Sequence, residues 1–136
     1  MKEELNNIIV QESEALQELI TLLEAQVKFT LEERIMDLEA ILPKIESCNK
    51  KIAELEMARR GLTKGEPMSK IVNDAKDSKL EENYRKIKLL VETAIVQKEF
   101  NMEQIKQGLH LTNKILNILN PDREVKTYNA YGKMKK

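Results

Sequence analysis

The spacing of apolar residues constrains this chain more than any other feature. Leu5, Ile8, Ile9, Leu16, Leu19, Ile20, Leu23 and Val27 recur mostly at steps of three and four, which lays one stripe along a helix. Leu31, Ile35, Leu38, Leu42, Ile45, Ile52, Leu55 and Leu62 repeat the pattern, with Asn49 and Arg59 filling the gaps, as in a coiled-coil seam. Leu80, Tyr84, Ile87, Val91, Ile95, Met102, Ile105, Leu109, Leu116 and Leu119 carry it through the last third. No stretch shows the period of two that a strand needs. Composition agrees: 34% of residues are charged, 4% are aromatic, and 136 residues include only four Gly and three Pro. Such a chain makes long helices packed side by side. The expected fold is all-α, an antiparallel bundle of three long amphipathic helices with a disordered C-terminal tail.

Punctuation sets the boundaries. Helix one is predicted from about Lys2 to about Phe29. Thr30-Leu31-Glu32-Glu33 reads as a capping box, in which hydroxyl and carboxylate exchange bonds with backbone amides, so helix two starts there. Pro43 lacks an amide donor and crowds the carbonyl four residues back. The stripe stays in phase across it, which predicts one kinked helix rather than two. Gly61 and Gly65-Glu66-Pro67 end that helix. The linker, about Thr63 to Asp77, has room for one short helix over Met68–Ala75. Ser78-Lys79-Leu80-Glu81 is a second capping-box pattern, and helix three follows from about Lys79 to Leu119. Its length would be roughly 60 Å, against about 40–45 Å for the first two, so unbroken it outruns its partners. Asn120-Pro121-Asp122 stops it. The division is therefore a helical domain over residues 1–120 and a flexible tail over 121–136.

Several function classes are excluded by what the sequence lacks. Lys plus Arg equal Asp plus Glu at 23 each, so no global field draws nucleic acid or acidic lipid. No run approaches the ~18 apolar residues of a membrane span. Met1-Lys2-Glu3-Glu4-Leu5 is acidic where a signal peptide is basic, and Cys48 is the single cysteine, so no internal disulfide forms. A cytoplasmic location is expected. His110 is the only histidine, and Gln107 stands where a Glu-x-x-His metal pair needs Glu. Cys48 has no histidine nearby in sequence and reads as a small semi-buried side chain. Glu32/Glu33 and Glu81/Glu82 read as solvated faces and helix N-terminal charges. Gly61, Gly65, Gly108 and Gly132 are too scattered for a phosphate loop. No enzyme activity, metal or cofactor is expected.

The apolar surplus lies in the second half of helix three. Met102, Ile105, Leu109, Leu116 and Leu119 form one cluster on a helical wheel, and Phe100, Leu111, Ile115 and Ile118 form another beside it. Together they cover about 200° of arc, twice the usual stripe. One cluster can face the bundle; the other is left to bind a partner protein, or to be covered by the linker helix or a second subunit in a homodimer. Gly108 costs about 1 kcal/mol there relative to Ala. The tail carries Tyr128 and Tyr131, two of the three tyrosines, and a pair of rings on a disordered segment can serve as a short docking motif.

In order, spacing and length these features resemble the FlgN family of flagellar export chaperones over nearly the whole chain. The resemblance rests on three segments. The first is Leu16-Gln17-Glu18-Leu19-Ile20-Thr21-Leu22-Leu23-Glu24 leading to Leu55-Glu56-Met57-Ala58-Arg59-Arg60-Gly61-Leu62. The second is Asn113-Lys114-Ile115-Leu116-Asn117-Ile118-Leu119, and the third is the tail with Tyr128 and Tyr131-Gly132. It implies a cytoplasmic chaperone for the two hook–filament junction proteins. The client's C-terminal helix would lie on Leu109, Leu111, Ile115, Leu116, Ile118 and Leu119. The client would then be delivered to the cytoplasmic domain of the export gate through Tyr128 or Tyr131. The competing expectation is a structural coiled-coil or adaptor protein whose surplus apolar face is an oligomer seam.

Overall fold

The computed structural model describes residues 2–119, and for residues 109–113, 115, 116 and 119 it describes the helical backbone alone. Four helices account for nearly all of it: α1 (Lys2–Leu31), α2 (Ile35–Thr63), α3 (Met68–Ala75) and α4 (Ser78–Leu119). No strand occurs among the described residues. The all-helical expectation therefore stands, with four helices in place of the three named for the bundle. The linker helix falls on Met68–Ala75 as the sequence suggested.

The packing centres on α1. Both α2 and α4 lie along it, while α2 and α4 scarcely touch each other. Helix α2 runs back along α1, from the turn at Leu31 to the Glu12–Arg59 ion pair. Helix α4 runs parallel to α1, because Asn83 pairs with Asn6 and Asn101 with Leu23 and Gln26. The α1 side of this contact reads Leu5, Ile9, Glu12, Leu16, Leu19, Leu23, Gln26. The α4 side reads Leu80, Asn83, Ile87, Leu90, Ala94, Gln97, Asn101. Both alternate steps of four and three, the spacing that keeps one seam facing its partner in a coiled coil. Leu5, Ile9 and Leu80 are fully buried, and Leu16, Ile87 and Ala94 nearly so. Ile71 and Val72 of α3 close the end of this core. A second, smaller cluster of Leu23, Ile41 and Ile45 joins α1 to α2.

Polar layers mark both ends of the seam. Asn101 is 1% exposed. Its Nδ2 donates to the Leu23 carbonyl at 2.6 Å and to Gln26 Oε1 at 3.0 Å, and its Oδ1 accepts from Gln97 Nε2 at 2.9 Å. At the other end Asn83 Nδ2 donates to Asn6 Oδ1 at 2.9 Å, and Asn6 Nδ2 donates to Asp77 Oδ2 at 3.4 Å. A buried amide is costly unless every donor and acceptor is met, and these are met in one register only.

The helix boundaries correct two readings. Thr30 caps nothing: its hydroxyl donates back to the Gln26 carbonyl at 2.8 Å, and α1 continues to Leu31. Glu33 adopts a left-handed φ of 56°, and the Arg34 amide reaches the Phe29 carbonyl at 2.9 Å. That is a Schellman-type stop closing α1, so the acid assigned to a helix start serves a helix end. Ser78 is likewise the first residue of α4 rather than its cap. Asp77 precedes it, and its Oδ1 accepts from the amides of Lys79 at 3.0 Å and Leu80 at 3.5 Å, satisfying amides that have no carbonyl within the helix. Helix α2 is continuous through an exposed Pro43.

Replacing Asn101 with Ala removes three hydrogen bonds and leaves the buried Gln26 amide without its partner. Urea unfolding of Asn101→Ala is expected to show a loss of about 2 kcal/mol. Asp77→Ala, a cap at the surface, is expected to cost about 1 kcal/mol in the same measurement.

Candidate functional site

The register of the seam decides where α4 goes. With Asn101 beside Gln26, Lys106 lies level with Leu31, the last residue of α1. Helix α4 continues to Leu119, so the segment from Gln107 onward extends roughly 20 Å past the α1–α2 hairpin. This arm contains every residue assigned to client binding. Ile118 is 72% exposed. Leu109, Leu111, Ile115, Leu116 and Leu119 are placed by their backbone on the same arm. Gly108 lies at its root with open space around it. The tail over 121–136, with Tyr128 and Tyr131, lies outside the described residues.

The hairpin end beside this arm is itself apolar. Leu31, Ile35 and Met36 are 64%, 67% and 84% exposed, although the sequence reading placed Leu31 and Ile35 in a buried seam. The cause is local. The turn at Glu33 starts α2 at Ile35, and its first buried side chains come only at Ile41 and Leu42.

A cleft runs between α2 and α4 with α1 as its floor. One section, of about 640 Å³, is lined by Ile9, Leu16, Ile52, Tyr84 and Ile87, with the Glu12–Arg59 pair at its side. The next, of about 210 Å³, is lined by Leu19, Leu23, Ile45, Val91, Ile95 and Met102. Val91 and Ile95, expected in the core, are 40% and 50% exposed at its mouth. They miss the core because the true seam lies to one side of the stripe read from the sequence. Its polar members Asn83, Gln97 and Asn101 hid it.

Among the described residues two side chains carry shifted proton affinities. Glu12 is almost wholly buried, and Arg59 Nε donates to its Oε1 at 3.0 Å. Burial pushes the Glu12 carboxyl above the usual carboxylate range; Arg59 opposes this and Glu56 adds to it. Cys48 is buried with its Sγ donating to the Ala15 carbonyl at 3.2 Å. Burial raises its thiol, Glu18 adds to the rise and Lys51 opposes it. A thiol held neutral is a packing group, as the sequence suggested, rather than a nucleophile. Among the described residues no group of three or more His, Cys, Asp or Glu side chains is placed to hold a metal. No helix there is long and apolar enough to cross a membrane.

Long helices that leave a hairpin end and a cleft with exposed apolar side chains, and that carry one helix past the hairpin, define a helical protein-binding module. Over residues 1–136, the whole chain, the sequence matches the family described as FlgN protein, and it belongs to that family. FlgN proteins are flagellar export chaperones, not enzymes, and bind flagellar export substrates. Comparisons with curated proteins and with solved structures gave no match.

The Glu12 shift predicts a pH dependence. A carboxyl that binds its proton more tightly when folded loses stability as pH rises from its unfolded value, about 4.3, through its folded value. Glu12→Gln cannot titrate. In urea unfolding between pH 4 and pH 8, the stability of the native chain relative to Glu12→Gln is therefore expected to fall as pH rises and then level off. A rise would mean that Arg59 outweighs burial.

Proposed function

We propose that this chain is a cytoplasmic type III export chaperone. It binds the C-terminal helices of the hook–filament junction proteins, prevents their premature assembly, and delivers them to the export gate. The observation that carries this reading is the overhang of α4. A helix held by seven seam positions over Leu80–Asn101 continues for about four more turns without a parallel partner. Leu109, Leu111, Ile115, Leu116, Ile118 and Leu119 lie on those turns. Helix-in-groove recognition needs such a surface: apolar anchors at helical spacing on a rigid support.

The energetics suit a carrier. Each apolar side chain that becomes fully buried stabilises the complex by about 1.5–3 kcal/mol at most. Ordering a client helix that is disordered when free offsets about 2–5 kcal/mol or more of that gain. Moderate affinity follows, and a client held at moderate affinity can be released at the gate. Tyr128 or Tyr131 would dock there, on a tail separate from the client surface. Delivery then does not require the client to leave first.

The two sites should separate by mutation. Leu111→Asp with Ile115→Asp is expected to abolish binding of a junction-protein C-terminal fragment in titration calorimetry, with the circular dichroism spectrum unchanged. Retained binding would remove the arm from the client surface. Truncation after Asp122 is expected to leave fragment binding intact and to weaken binding to the gate's cytoplasmic domain. Tyr128→Ala and Tyr131→Ala, made singly, would identify the anchoring ring by a loss of about 2 kcal/mol. Unchanged gate affinity after truncation would end the docking role of the tail.

A further inference from the structure

Helix α4 carries an apolar stripe on the side away from α1, separate from both the seam and the arm. Leu89, Val96 and Phe100 are 64%, 65% and 49% exposed, and Thr93, also exposed, completes their spacing of four, three and four. That is a second coiled-coil seam on one helix. It ends in charge at both sides. Lys86 continues the spacing before Leu89, and Glu103 continues it after Phe100. Both are exposed, and neither forms an ion pair among the described residues.

We propose that this stripe pairs with the same stripe of a second copy of the chain, the two α4 helices running antiparallel about a two-fold axis between Thr93 and Val96. The charges decide the orientation. Parallel pairing would set Lys86 against Lys86 and Glu103 against Glu103, two like-charge layers within the seam. Antiparallel pairing sets Leu89 against Phe100 and Thr93 against Val96. Each Lys86 then falls opposite the partner's Glu103, twice by symmetry, as an isologous contact requires. Across the flank of this arrangement Glu92 faces the partner's Glu99 and Arg85 the partner's Lys106, exposed like-charge contacts that weaken the dimer without reaching its core layers. The apolar layers span about 17 Å. That is a short seam, consistent with a dimer that forms and dissociates rather than an obligate one. The contact stops before Gln107, which leaves both arms free for clients and directs them to opposite ends of the pair.

Sedimentation equilibrium of the full chain over a wide concentration range tests this. The native chain is expected to show a monomer–dimer equilibrium, and Leu89→Glu with Val96→Glu to shift it at least tenfold toward monomer while helix content and client-fragment binding stay unchanged. Lys86→Glu alone is expected to weaken the dimer, and Lys86→Glu with Glu103→Lys to restore it. In a parallel pair the double swap would leave the like-charge layers as they were, and the single change would have no rescue. A chain monomeric at millimolar concentration, a dimer indifferent to Leu89→Glu with Val96→Glu, or absence of rescue would overturn the proposal. Loss of client binding in the Leu89/Val96 variant, with the native chain monomeric, would assign the stripe to the client instead. The client reading itself stands or falls separately, on Leu111 and Ile115.

Discussion

The parallel seam between α1 and α4 fixes everything else in this molecule, and its polar layers fix the seam. Apolar contacts alone tolerate sliding, because a shift of one heptad sets leucine against leucine again. The amides do not tolerate it. Moving α4 by seven residues toward the α1 N-terminus would bring Asn101 level with Leu19 instead of Gln26. Its buried amide would lose its partners, at a cost of about 1–3 kcal/mol. Asn83 and Asn6 impose the same condition about 27 Å away along the helix. With both ends pinned, the point at which α4 passes the hairpin is set. The arm is thus a consequence of two small hydrogen-bonded clusters that lie outside it.

The rest of the fold is organised around that strut. Helix α2 returns along α1 and is held by Ile41, Ile45, a buried thiol and the Glu12–Arg59 pair. It scarcely meets α4, and the cleft results. A closed bundle would bury Val91 and Ile95; here they stay half open, and the apolar core is thin. Small cores give modest stability. Among the described residues three that are not glycine, Glu33, Lys64 and Lys76, hold left-handed conformations at helix ends, each at a cost of about 1 kcal/mol or more. Many of its apolar residues stay exposed instead of adding to that core.

Much of this was legible in the sequence, and the failures share causes. The helix class and the short helix over Met68–Ala75 followed from periodicity and from Gly and Pro positions. The excess length of α4 followed from counting residues. The α4 seam did not, because Asn83, Gln97 and Asn101 read as surface residues until their partners on α1 are known. Apolar periodicity drew the stripe through Val91 and Ile95 instead. The capping box at Thr30 failed because a short polar motif is compatible with a helix end as well as a start. At Ser78 a helix does start, but the cap is the preceding residue, Asp77. The arm was legible as a surplus of apolar residues, since no helix of this length could bury about 200° of arc against one neighbour. Leu89 and Val96 were missed for the same reason as the seam: their stripe is interrupted by Thr93.

On the function proposed above, this chaperone divides its labour along one helix: the proximal part of α4 packs on α1, and the distal part is proposed to hold the client. The claim is tested most directly by hydrogen–deuterium exchange of the full chain with and without a junction-protein C-terminal fragment. The account predicts new amide protection over residues 109–119 on adding the fragment, with residues 80–101 unchanged because their helix is already held against α1. Protection confined to α2 and the cleft-lining turns of α4, with the arm unaffected, would contradict it.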